Sequence, residues 1–98
     1  MKLVHKMIDQ IDEELEGAMD YAEKFIESKV HGDSHRASLY RQMSFDELTH
    51  AGYVYEFSAS DIAKIKAVHQ LSEECEKRWE EAMRHYAEFA AKVKYLLN

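Results

Sequence analysis

Val30-His31-Gly32-Asp33-Ser34 is the stretch on which the fold turns. Gly32 can take the left-handed backbone conformation that ends a helix, and Asp33 or Ser34 can accept hydrogen bonds from the unsatisfied N–H groups that begin the next one. So short a connection joins two helices as an antiparallel hairpin. Upstream of it, Val4, Ile8, Ile11, Leu15, Ala18 and Ala22 recur at the three-four spacing of one buried face, which predicts a first helix from Leu3 to Val30. Downstream, Leu39, Met43, Glu47, His50, Val54 and Phe57 form one row, which predicts a second helix from His35 to Phe57 with that row turned inward.

Composition supports helices throughout. The 98 residues include no proline and only three glycines, while Ala, Leu, Met, Glu and Lys are plentiful, so the fold class is all-α, a single domain over residues 1–98. A chain of this size sits near the limit at which a core alone gives stability, and association with a second copy is a common remedy. The net charge of -6 disfavours nucleic acid and an anionic membrane surface as partners and favours cations. One cysteine, Cys75, excludes an intrachain disulfide and fits a reducing compartment. With no signal-like apolar run and no stretch of about 20 apolar residues, a soluble, cytoplasmic protein is expected.

Beyond the hairpin, Ser58-Ala59-Ser60-Asp61 reads as a second break, with Ser60 or Asp61 capping a third helix from Ile62 to Leu97. Its apolar side would carry Ile65, Val68, Cys75, Trp79, Met83, Tyr86, Ala90, Val93 and Leu97. Folded back from residue 59, so long a helix would overhang the hairpin by about 20 Å at roughly 1.5 Å per residue. Tyr86, Phe89, Val93, Leu96 and Leu97 would then need a second copy to cover them, which predicts a homodimer or larger homo-oligomer.

One carboxylate interrupts an apolar row of the first helix: Glu14, among Met7, Ile11, Ala18, Tyr21 and Phe25. A carboxylate in such a row is costly unless it is paired or holds a metal ion. In the second helix Glu47 and His50 are three residues apart, on one face, so both can reach a single ion. With 13 Glu and 6 His in the chain, chance alone supplies about one such pair, so the spacing carries little by itself. The hairpin adds an independent constraint. Residues at equal depth have numbers that average to the turn; Glu14 averages to 32 with His50 and to 30.5 with Glu47, both beside Gly32. The three side chains should therefore lie at one level. A two-metal carboxylate centre in a helix bundle takes one Glu from each of two helices and a Glu-x-x-His from each of the other two. This chain holds half that set, and a two-fold dimer would complete it. The donors suit iron, manganese or zinc alike.

Over residues 5 to 57 the chain resembles the encapsulated ferritins, a half-sized branch of the ferritin-like superfamily. The resemblance rests on Glu13-Glu14-Leu15-Glu16, on Tyr21 seven residues after Glu14, and on Glu47-Leu48-Thr49-His50. It implies two hairpins dimerising into a ferritin-like four-helix bundle, with a di-iron ferroxidase centre across the interface and dimers assembled into a ring. Carried over by position, it makes Glu14, Glu47 and His50 the metal ligands and catalytic residues, with Glu47 bridging. It puts Tyr21 beside the centre and makes Glu13 and Glu16 an acidic entry site for incoming iron. The long third helix departs from the family's short C-terminal one, and no Gly-, Ile- and Leu-containing targeting tail follows Asn98. Ring size and an encapsulating shell protein therefore do not carry over.

Other features have plainer explanations. His69 with Glu73, and Glu81 with His85, suit helix-surface pairs, and His5, His31 and His35 suit solvated positions. Trp79, Met83 and Cys75 suit the core. Asp46, four residues before His50, could orient its ring. The alternative to an iron-oxidising protein is a non-enzymatic helical assembly or adaptor in which Glu14, Glu47 and His50 form a buried polar cluster that sets register.

Overall fold

In the computed structural model, which describes residues 2–98, three helices make up the chain: α1 (Lys2–Val30), α2 (Ser34–Val68) and α3 (Glu73–Leu97). The first turn forms as its residues dictate. Gly32 has a φ of 74°, the Gly32 N–H donates to Lys29 O at 3.0 Å, and the Asp33 N–H donates to Ser28 O at 2.9 Å. These two bonds satisfy the last carbonyls of α1 in a Schellman closure. Asp33 Oδ1 then accepts from the Arg36 N–H at 3.0 Å and caps α2.

α1 and α2 pack closely because small residues line their contact. Ala37, Ser44, Ala51 and Ser58, each seven apart, are buried on α2 against Ala18, Ala22, Ile11 and Leu15 of α1. Within this seam Ser44 Oγ donates to Ala18 O at 2.7 Å, so that buried hydroxyl is satisfied by the facing helix. All six residues of the first row read on α1, from Val4 to Ala22, are buried.

The second break lies elsewhere than expected. Ser58-Ala59-Ser60-Asp61 stays helical, and α2 continues to Val68. Ser58 is fully buried, and Ile62 extends the buried row another turn, so stopping at residue 57 would interrupt that row. The chain turns at 69–72 instead. The His69 N–H closes α2 on Ile65 O, buried Leu71 plugs the corner, and Ser72 Oγ caps α3 by accepting from the Cys75 N–H at 3.1 Å. Glu73, Glu74 and Glu76 follow, acidic residues in the first turn where the helix dipole favours them.

Moving the turn by about ten residues removes the overhang. α3 runs back beside α1 until its last carbonyl reaches Arg41, whose Nε donates to Leu97 O at 2.9 Å. Ala90, Val93 and Leu97 are buried within the chain, and Tyr86, Phe89 and Leu96 pack against the same core. The overhanging side chains invoked for self-association are thus covered by their own hairpin. α3 lies mainly on α1. Besides Arg41, its contact with α2 includes large rings: Tyr55 stacks on Tyr86 at 4.2 Å between centroids and on Trp79 at 5.8 Å. The molecule measures 54 × 19 × 17 Å, its long axis that of α2. No helix among the described residues is long and apolar enough to cross a membrane.

Candidate metal centre

α3 occupies one side of the hairpin and leaves the other open. On α1, Ile8 and Asp12 face α3, where Asp12 Oδ1 lies 3.8 Å from His85 Nε2. Glu14, two residues on, is rotated by about 200° at 3.6 residues per turn and points to the opposite side. On α2, Gly52 faces the Tyr86 hydroxyl of α3. His50 is displaced from Gly52 by the same rotation and also faces away from α3.

On that open side Glu14, Glu47 and His50 converge. One ligand atom from each lies within 4.8 Å of the others, and His50 Nδ1 is 3.7 Å from Glu14 Oε2. It is the one such group of His, Cys, Asp and Glu side chains among the described residues. The row that carries the pair, expected to face inward, enters the chain's own core only at Val54, which is 5% exposed. The His50 side chain is 56% exposed, and Leu39, Met43 and Phe57 on the same stripe are exposed as well. The core side of α2 is instead the row Ala37, Ser44, Leu48, Ala51, Val54, Ser58 and Ile62. Two apolar rows share one helix, and composition cannot say which of them meets α1; the small residues win because they let the helices approach.

The carboxylates are close enough to compete for a proton. A hydrogen bond with the Glu47 carboxyl raises the pKa of Glu14 above its ordinary 4.5. Burial and the Glu47 charge push the same way, while His50 partly opposes them. A cation between the two oxygens would replace that proton, and imidazole nitrogen with carboxylate oxygen is a donor set suited to iron, manganese or zinc. The side chains present therefore fit a metal ion, with open positions toward solvent.

Neither a protein-family profile, nor a curated protein, nor a solved structure matches this chain. Nothing in these comparisons identifies the encapsulated ferritins as its family.

The other candidates are not members of that group. Glu13 and Glu16 are exposed on α1. Tyr21 is half-buried and stacks on Tyr40 across the hairpin at 6.1 Å between centroids, with Lys24 Nζ 5.7 Å from its ring. Asp46 accepts from Gln42 Nε2 at 3.0 Å, whereas His50 is oriented toward Glu14. His85 pairs across the helices with Asp12, and His69 leaves helical geometry altogether as the C-cap of α2. Sequence reasoning passed over Gly17. A β-carbon there would stand 3.1 Å from Glu47 Oε2. The signal was available, because a glycine inside a 29-residue helix is unfavourable relative to alanine and calls for a packing reason.

Proposed function

We propose that the chain is a ferritin-like iron-binding protein that oxidises Fe(II) to Fe(III) at a two-metal centre shared by the two copies of a homodimer. The observation that carries this reading is the convergence of Glu14, Glu47 and His50 within 4.8 Å on a face that α3 leaves open, flanked by exposed Leu39, Met43 and Phe57. Three donors from one hairpin are half of the ligand set of a bundle two-metal centre. A second hairpin applied by a two-fold axis through this face would add the other half and cover the apolar stripe, making a four-helix bundle with each α3 on its outer flank.

In this reading Fe(II) is substrate. Two ions give up one electron each, and the pair of electrons with two protons reduces dioxygen to hydrogen peroxide, or a peroxide O–O bond to two waters. Glu47 bridges, Glu14 and His50 are terminal ligands, and the ferric product leaves for storage. The chain's own part is to hold carboxylates and imidazole at fixed spacing, so that little rearrangement accompanies the change in charge.

An anaerobic Fe(II) titration followed by exposure to air tests the reading. Wild-type protein should bind about one iron per chain, dimerise as it does so in sedimentation velocity, and oxidise the iron on aeration. Glu14→Ala and His50→Ala should lose binding and oxidation while keeping helical circular dichroism. Phe57→Asp, which places a charge in the apolar stripe, should lose the iron-dependent dimer. Unchanged oxidation in Glu14→Ala or His50→Ala overturns the assignment.

A further inference from the structure

We infer that Gly17 is a positioning residue: the space left by its missing β-carbon seats the Glu47 carboxylate beside Glu14 and His50. The inference rests on the metal-centre reading above. Three distances carry it. A β-carbon on Gly17 would lie 3.1 Å from Glu47 Oε2, 3.5 Å from Cδ and 3.6 Å from Cγ, so the carboxylate and its last methylene lie along the bare backbone of α1.

Neither helix can yield to a larger residue at this point. Ala18, the next residue of α1, is fully buried and accepts the Ser44 hydroxyl of α2 at 2.7 Å, one turn before Glu47. Ser44 is also fully buried, and Leu48, next to Glu47, fills the seam on the other side. With the backbones pinned by that contact, a methyl group at position 17 would be accommodated by the Glu47 side chain, which alone has solvent to move into. A shift of a few tenths of an ångström suffices to matter, because metal–ligand distances are held to about 0.2 Å. The second mid-helix glycine with a close neighbour supplies the contrast. A β-carbon at Gly52 would meet the Tyr86 hydroxyl at 3.3 Å, on the side of α2 away from the three donors.

Co(II), which air does not readily oxidise at such sites, serves as the probe. Its affinity, visible absorption spectrum and effect on melting temperature are measured for wild type, Gly17→Ala, Gly17→Val and Gly52→Ala. Alanine favours a helix interior over glycine, so Gly17→Ala should melt higher than wild type without metal. It should nevertheless bind Co(II) about 10- to 100-fold more weakly, the range seen when a group that orients a ligand is changed, with an altered spectrum. Gly17→Val should bind more weakly still, and Gly52→Ala should bind as wild type does. Higher stability with lost affinity separates positioning from a general structural role, which would move both together. Wild-type affinity and spectrum in Gly17→Ala overturn the inference and leave the metal centre standing. Absence of Co(II) binding by wild type overturns the metal centre and the inference with it.

Discussion

Replacing Glu14 by Gln should make the metal-free protein more stable and the metal-bound protein less so. The two carboxylates present oxygens within 4.8 Å of each other. Like charges at that distance repel by about 0.9 kcal/mol in bulk water and about 3.5 kcal/mol at an effective dielectric of about 20. The Glu14 side chain is 24% exposed and solvent screens its charge, so the lower end applies. Gln removes the repulsion and can donate an N–H to Glu47. The expected gain is about 1 kcal/mol at neutral pH, or about 4–8 °C in melting temperature for a chain of this length. Loss of the donor has the opposite effect once metal is present. Free Co(II) at about 100 times its dissociation constant should stabilise wild type by about 2.7 kcal/mol and Glu14→Gln by far less. Thermal unfolding at one protein concentration, with and without Co(II), reads both effects. A Glu14→Gln protein that melts below wild type without metal, or that gains as much from Co(II), refutes the geometry argued here.

The same geometry has two further outcomes. Because the folded-state pKa of Glu14 lies above its ordinary value of 4.5, the folded metal-free protein holds more protons than the unfolded chain in the window above 4.5. The contribution of Glu14 to stability is therefore fully present below that window and lost as pH rises through the raised value. Denaturant titrations of wild type and Glu14→Gln should coincide in acid and diverge toward neutral pH, and a constant difference across pH would contradict the raised pKa of Glu14. Ser58 concerns the core alone. Its Oγ is buried without a hydrogen-bond partner among the described residues, so Ser58→Ala should stabilise the protein by about 1 kcal/mol and leave metal binding unchanged; a loss of stability would reveal a partner.

The sequence by itself determined the helical class, the hairpin and the level of the three donors. Those features depend on local chemistry and on arithmetic: the Gly32-Asp33 closure is specified by residues within one turn of it, and an antiparallel hairpin fixes depth once its turn is known. Tertiary structure decided the rest. Ser60 and Asp61 have the chemistry of a cap, but the burial of Ser58 and Ile62 on either side holds α2 helical through them, and Ser72 caps instead. That difference of ten residues turned a predicted overhang into a third helix packed on its own hairpin. It was also packing, and no property of the motif, that directed Glu47 and His50 outward. The small row Ala37, Ser44, Ala51 and Ser58 permits a closer approach to α1 than Leu39, Met43 and Phe57 could, so those three and His50 are exposed and Glu47 is half-buried beside Gly17. A periodic pattern tells which residues share a face of a helix; which face meets a neighbour depends on the shape of that neighbour.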